Sequence, residues 1–534
     1  MEKKDESGGA SRGRSILRSG SALSLLTLAS RILGLAREMV KARLLGTSAL
    51  ADAFAVAFIL PNLFRRLFAE GSIAVAFIPT FKEYLLAGDK KASREFLSCF
   101  FTFLTFSVTL AVMAGALAAP LAVRAFGIAE FDEAVYLTRL MFPFLAFISI
   151  AAFFQGILNS LHVFAPSALA PIVLNVVVML CAWALSGRAE NPARALALGI
   201  LLGGALGTAL QLPFVLKKGM GFFFVGLRRA FANPGVKKVL WLIAPTIIGM
   251  AAHKINDIVS VALAGNAGAG VVSSLQYSLR LQELFLGVFA VSIGTVLLPN
   301  LAEYAKSSRW DRFNDSLISG MDVMALVSIP ITFFALAQGE TLIRLIFQSA
   351  AFDEESVALT VSAFMFHMPG LFFIALNRIL APAFYAQSDS KSPALAGIFS
   401  FAVNIALAAI LVRRFQGAGI ALALSVAGAV NTAALLFFLR KNPEIALRRA
   451  LRSALSYAAR LCVLSAVAVA PVVFFSPALL RAFSGGHRVL SLGAPLAISA
   501  LLFAAIGVAL LAATRDKQLL AIVAILRRRR PDPR

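Results

Sequence analysis

The sequence predicts an all-α polytopic membrane protein of about 14 transmembrane helices, arranged as two six-helix lobes followed by two further helices. Three observations carry that reading. The chain has 534 residues, of which 59% are hydrophobic and 14% charged, where a soluble protein carries about 25% charged residues. Apolar runs long enough to span a bilayer recur from end to end, and the alternating segments of about 10 residues that mark a membrane β-barrel do not appear. Short strings in the first half also recur, in order, in the second.

The elements follow from the N-terminus. Residues 1–22 begin "MEKKDESGGASRGRSILRSG", which is polar and lacks an apolar core with a cleavage site. They are expected to form a disordered cytoplasmic tail rather than a cleaved signal peptide. An N-lobe over 23–216 takes six helices, at 23–46, 50–80, 93–120, 134–160, 167–187 and 193–216. A basic, aromatic loop over 217–235, within "KKGMGFFFVGLRRAFANPGVKK", is expected at the membrane interface, against anionic lipid headgroups. A C-lobe over 236–440 takes helices at 236–264, 271–299, 315–338, 357–387, 392–412 and 417–439. Two nearly uncharged helices, 452–475 and 487–513, lie within 441–513, and a basic tail over 514–534 contains "RRRR" at 527–530.

An even number of helices puts both termini on one side, and loop charge says which. Lys82, Lys90, Lys91 and Arg94, then Lys217, Lys218, Arg228 and Arg229, then Lys306, Arg309 and Arg312, then Arg440, Lys441, Arg448 and Arg449 all fall on the terminal side. The opposite loops are acidic, as in "AEFDEA" at 129–134 and "FDEES" at 352–356. The positive-inside rule then makes both termini cytoplasmic. The net charge of +23 sets topology and meets anionic lipid; nucleic acid is not an expected partner. Cys99, Cys181 and Cys462 lie singly in apolar sequence and read as packing residues.

The repeat appears twice. "FIPTFKEYLLAG" resembles "LLPNLAEYAKSS", with Pro79 matching Pro299. "APSALAPIVLN" resembles "KSPALAGIFSF", with Ala168 matching Ala394. A duplicated six-helix unit explains both; chance likeness of short apolar strings is the alternative. Parallel repeats of this kind rock around a site at their interface in transporters.

Polar stripes locate that site. A charge at the bilayer centre costs about 2.5–3.5 kcal/mol, so Arg31, Arg37 and Lys41 of "SRILGLAREMVKARLLG" would cost about 8–10 kcal/mol against lipid. At 100° per residue they share one arc with Ser30, Gly34 and Glu38, opposite Ile32, Leu33, Leu35 and Val40. Arg43 alone leaves the arc. Helix 2 aligns Asp52, Asn62, Arg65, Arg66 and Glu70; helix 7 aligns His253, Asn256, Asp257 and Ser260; helix 8 aligns Gln276, Arg280 and Glu283. Internal pairing, of Arg31 with Glu38, Arg66 with Glu70 and Arg280 with Glu283, accounts for part of this charge. Arg31, Arg37, Lys41, Arg65, Arg66, Lys254 and Arg280 stand against Glu38, Asp52, Glu70, Asp257 and Glu283, an excess of about two, which points to a water-filled cationic cavity. Arginine's planar fork suits phosphate oxygens. His367 and Arg378 in helix 10, Arg139 in helix 4 and Arg460 in helix 13 read as interfacial or paired. No nucleophile triad, phosphate-binding loop or metal-spaced cluster appears, so an enzyme is not predicted.

"SRILGLAREMVKARLLG", "ADAFAVAFILPNLFRRLFAEGSIAVAFIP", "SIGTVLLPNLAEY" and "LAPAFYAQSDSKSP" together resemble the MurJ/MviN family of bacterial lipid II flippases. The resemblance implies the fold of the MOP exporter superfamily and movement of the lipid-linked peptidoglycan precursor, lipid II, from the inner to the outer leaflet of the cytoplasmic (inner) membrane. It implies substrate-binding roles for Arg31, Arg37, Glu38, Asp52, Arg65, Arg66, Asn175, Arg280 and Glu283. Helices 13 and 14 would hold the polyprenyl tail, and other cell-wall synthesis proteins would be partners. No organic cofactor is implied. Some members are thought to bind sodium in the second lobe; the matching positions are Ser260, Asn404, Ala408 and Leu424, of which only Asn404 keeps the residue type, with Asp257 as a substitute. The membrane potential is the expected driving force. On the residues alone, export of an oligosaccharide lipid or a drug, an enzyme acting on polyprenyl-linked sugars, and a non-transporting scaffold remain open.

Overall fold

The computed structural model describes the backbone over residues 5–65 and 76–528, and the side chains there except those of 5–24, 64–65, 244–255, 287–296, 522–523 and 525–528. Among the described residues the chain is helical, with no strand. Among the described residues, eight helices are long and apolar enough to cross a membrane, or nine with one bent pair counted as a single span.

The first helix, α1, runs Asp5–Leu45. Its backbone is helical upstream of residue 23, within the stretch expected as a tail. No proline precedes Pro61, so the backbone meets no residue without an amide hydrogen along α1. It ends at Gly46, whose φ of 58° is the left-handed conformation that glycine takes without penalty. Ser48 then opens α2 (Ala49–Arg65), its hydroxyl accepting from the Ala51 amide at 3.2 Å. The rest of the expected second span is α3 (Ile78–Leu86), with residues 66–75 outside the described part.

Asp89 caps α4 (Lys90–Arg124). The expected fourth span is two helices, α5 (Phe131–Met141) and α6 (Phe144–Ser160), separated at Pro143, which has no amide hydrogen to continue the ladder. α7 (Ala165–Leu185) and α8 (Pro192–Lys217) follow. They approach closely: Gly199, Gly203 and Gly207 line one edge of α8, and a Cβ on Gly199 would stand 2.8 Å from the Val178 Cα of α7. The short α9 (Leu227–Ala232) precedes α10 (Pro234–Gly265).

The second half contains α11 (Val271–Lys306), α12 (Trp310–Phe347), α13 (Glu354–His367) and α14 (Gly370–Ala386). α13 and α14 bend by 46° at Pro369. α15 (Lys391–Leu439) holds both expected spans 11 and 12, parted at Gln416 with φ 47° and ψ −128°. α16 (Leu447–Ala482), α17 (Arg488–Ala513) and α18 (Lys517–Arg528) complete the chain. Asp353 and Asp389 cap α13 and α15, and hydrogen bonds from Ser356 and Ser392 hold their carboxyls below the usual range.

The chain divides into two compact units, Met1–Ser273 and Ser274–Arg534. Within the first unit α10 packs on α2, α3, α4 and α9. The repeat is visible in each unit by itself. Pro143 and Pro369 break corresponding helices 226 residues apart, and His162 and Ser388, with the same offset, both take left-handed φ before α7 and α15. Glu133 and Glu354 each hold a bidentate arginine. Arg194 comes from α8 (2.9 and 2.7 Å), whereas Arg344 comes from α12 (2.6 and 2.7 Å).

One core of the first unit is aromatic. Phe77 meets Phe100 at 4.8 Å and Phe153 at 5.4 Å, and Tyr84 of the repeated "KEY" string stacks on Phe96 at 4.7 Å; such pairs add about 0.5–1.5 kcal/mol each beyond area burial. The basic loop is fastened onto it. Ser98 and Thr102, one turn apart on α4, accept hydrogen bonds from the amides of Phe223 (3.2 Å) and Val225 (3.0 Å). Phe222 turns inward to Phe101 and Phe153, while Phe223 and Phe224 remain 60% and 67% exposed.

Candidate functional site

The cationic face of α1 is organised around Glu38. Its Oε1 accepts from Arg37 Nη2 at 2.8 Å and its Oε2 lies 2.6 Å from Lys41 Nζ. These side chains are 17% (Arg37), 13% (Glu38) and 9% (Lys41) exposed, so the triad is largely enclosed. The expected partner of Glu38, Arg31, is not in it. Two helical turns, about 10 Å of rise, separate residues i and i+7, whereas Lys41 sits at i+3. Arg31 makes no ion pair among the described residues, and it is only part-exposed. The face of α1 therefore carries one acid and three cations, with Arg31 available to an external anion. Arg43, off the stripe, is exposed as expected.

Asn175 positions this face. It is buried on α7, and its Nδ2 donates to the Ser30 carbonyl at 3.3 Å, one residue before Arg31. Its place in the site is thus to hold α1 against α7.

Asp52 is buried, and both its oxygens are engaged: the amides of Gly270 (2.7 Å) and Ser273 (2.8 Å) donate to them. It therefore caps α11 from the first turn of α2, which gives it a structural role where a substrate contact was expected. The local sequence explains the need. α11 starts after "GNAGAG", and Gly270 has no side chain with which to cap it. Gly270 also packs against Thr47, where an added Cβ would stand 2.1 Å from the carbonyl oxygen.

On α11, Arg280 pairs with Glu283 at 3.2 Å, the pairing expected from their spacing. The pair is open, at 39% and 60% exposure, so Arg280 is accessible to a ligand. The side chains of Arg65 and Arg66, with Glu70, His253 and Lys254, lie outside the described residues. Of the sodium candidates, Asp257 is exposed and Ser260 half-buried on α10 in the first unit, while Asn404 is buried on α15 in the second. Two cations missing from the expected site stand out. Lys41 completes the α1 triad, and Arg378, exposed on α14, makes no ion pair among the described residues. Arg378 was legible as a charge in an apolar span, but its exposure was not.

Guanidinium groups without a protein counterion can take phosphate oxygens bidentately. The described residues form a multi-pass helical protein with such groups on its helices. Its fold is similar to a solved lipid II flippase in an inward closed conformation, with a TM-score of 0.75 at 23% identity over 92% of this chain and 99% of that one. It is also similar to an inward-facing multidrug resistance MATE family transporter of the MOP superfamily, with a TM-score of 0.68 at 14% identity over 79% of this chain and 96% of that one. The fold class is therefore MOP-like.

The model of the family described as lipid II flippase MurJ matches residues 41–490. A probable lipid II flippase of Treponema pallidum (strain Nichols) is 44% identical over 512 residues, 94% of this chain and 97% of the relative. A lipid II flippase of Burkholderia cenocepacia is 33% identical over 430 residues, 79% of this chain and 83% of the relative. The chain belongs to the MurJ family. The family match begins at Lys41, so Arg31, Arg37 and Glu38 lie just upstream of it.

Proposed function

We propose that this chain is a flippase that carries lipid II across the bacterial inner membrane, from the cytoplasmic to the outer leaflet, by alternating access. The observation that carries the proposal is the 44% identity to a probable lipid II flippase over nearly the whole length of both chains. The α1 face supports it chemically. Arg31 lacks an ion-pair partner among the described residues, and Glu38 is shared by Arg37 and Lys41, so the face retains positive charge for a diphosphate. Arg280, in its exposed pair, is the corresponding group on α11.

In this scheme both termini are cytoplasmic, and the exposed Phe223 and Phe224 beside Lys217, Lys218 and Arg228 rest on anionic headgroups of the inner leaflet. α17, with only Pro495 and Ser499 buried along its length, offers the polyprenyl tail an apolar face. The membrane potential, rather than sodium, drives the cycle, because each elementary charge moved through 100 mV is worth about 2.3 kcal/mol. Cell-wall synthesis enzymes that consume lipid II in the outer leaflet are the expected partners.

The test is translocation of lipid II by the purified protein in vesicles, with and without an imposed potential. Inside-negative vesicles should deliver faster, and Arg31→Ala should abolish delivery. Delivery that is normal in Arg31→Ala, or restricted to a different lipid-linked sugar, would refute the proposal.

A further inference from the structure

His367 ends α13 at the break before Pro369, a lone imidazole in an apolar span. Pro369 has no amide hydrogen, so the ladder cannot continue through it. The Leu371 amide, which an unbroken helix would give to the His367 carbonyl, instead donates to the Met368 carbonyl at 3.0 Å. Side chains from three other helices take up the carbonyls at the break. Gln282 Nε2 of α11 donates to the His367 carbonyl. The Ser425 hydroxyl of α15 donates to the Phe366 carbonyl at 2.5 Å, and the Thr332 hydroxyl of α12 to the Met368 carbonyl at 3.3 Å. The imidazole itself turns to α11, where its Nδ1 and the Ser278 hydroxyl share a hydrogen bond of 2.6 Å. Ser278, Gln282 and His367 are all buried.

α11 is thus tied to one residue at two points a turn apart. At 100° per residue, Ser278 and Gln282 lie about 40° apart, and Arg280 lies about 180° from their midpoint. Arg280 is correspondingly exposed where Ser278 and Gln282 are buried. Apolar packing tolerates a small rotation of a helix, but directional hydrogen bonds do not. Turning α11 would strand the Gln282 amide, the His367 carbonyl and the imidazole in an enclosed site. The first unit is built differently. At the 226-residue offset His367 corresponds to Met141, buried like it, whose thioether is a weak acceptor. There the cationic helix is held through Asn175 and the Ser30 carbonyl.

We propose that His367 is a positioning residue for Arg280: its imidazole and its carbonyl together fix the rotation of α11 and aim the guanidinium away from the packed interior of the unit. The consequence for transport rests on the reading above, in which Arg280 meets the diphosphate. The rotation itself does not, and is measured without cargo.

In the full purified chain, the rate at which N-ethylmaleimide modifies the thiol introduced by Arg280→Cys, followed by peptide mass, reports how that position faces. Arg280→Cys is compared alone, with Ser278→Ala and His367→Leu together, with His367→Gln, and with His367→Asn. Removing both partners of the imidazole bond strands neither of them, so the combined variant should melt near the wild-type temperature. Its thiol should react severalfold more slowly. His367→Gln, whose amide lies one atom further out, should slow the thiol too. His367→Asn, whose amide places polar atoms where Nδ1 stood, should keep the original rate. With Arg280 restored, the combined variant should carry lipid II at least about tenfold less efficiently at low concentration, and His367→Asn should carry it as wild type does. An unchanged thiol rate in the combined variant and in His367→Gln, or equal transport losses in the combined variant and in His367→Asn, would overturn the positioning role. A wild type that carries no lipid II, with the thiol shift intact, would refute the flippase reading and support the positioning.

Discussion

The charged stripes of α1 and α11 use the same local device to different effect. Each places an acid three residues from a cation on one helical face. On α1 the acid, Glu38, is enclosed and serves two cations; on α11 the acid, Glu283, is exposed and pairs, among the described residues, with Arg280. Breaking a buried pair costs about 3–5 kcal/mol, because it strands a charge, whereas an exposed pair is worth about 0–1 kcal/mol. Spacing along a helix decides which charges meet, and enclosure decides whether their meeting holds the protein together.

Four substitutions press on that contrast. The largest effect belongs to Arg31→Ala. With no ion pair to lose among the described residues, the variant should melt at the wild-type temperature yet carry no lipid II in the vesicle assay. A large drop in melting temperature would show that Arg31 is structural and that α1 offers no free cation. Next, Glu38→Gln should remove the carboxylate that Arg37 and Lys41 share and lower stability by about 3 kcal/mol, read by chemical denaturation in detergent. Asp52→Ala should cost about 2 kcal/mol by leaving two buried amides unmet. Asp52→Asn, which retains one acceptor oxygen, should recover part of that loss. Smallest of all, Glu283→Gln should change stability by less than about 1 kcal/mol. If Glu283→Gln proves as damaging as Glu38→Gln, enclosure does not separate the two stripes.

The fold class was legible because its signals are compositional and long. Spans from 93 to 513 coincide with helices to within several residues at most ends. What escaped were features decided by one residue or by a distant partner. Pro143 breaks a span read as continuous, since a proline inside an apolar run can bend a helix or end it. Asp52 looked like a cavity acid because its partners, Gly270 and Ser273, lie 218 and 221 residues away. The assignment of Glu38 to Arg31 failed on geometry that was available: angle alone groups residues seven apart, but rise separates them. Phe222 reads the same as Phe223 and Phe224 in sequence, and only the hydroxyls of Ser98 and Thr102 determine which one turns inward.

The glycine edge of α8 has a mechanical consequence. With Gly199, Gly203 and Gly207 set against Val178, Leu174 and Ala170, two backbones lie nearly in contact over two turns. Such a seam brings the two backbones together with little between them but the Leu174 side chain at Gly203, so α7 and α8 resist bending as one beam. Asn175 projects from that beam to the Ser30 carbonyl. The guanidinium that the cargo is proposed to meet is thereby registered against a closely packed pair of helices, and not against a loop.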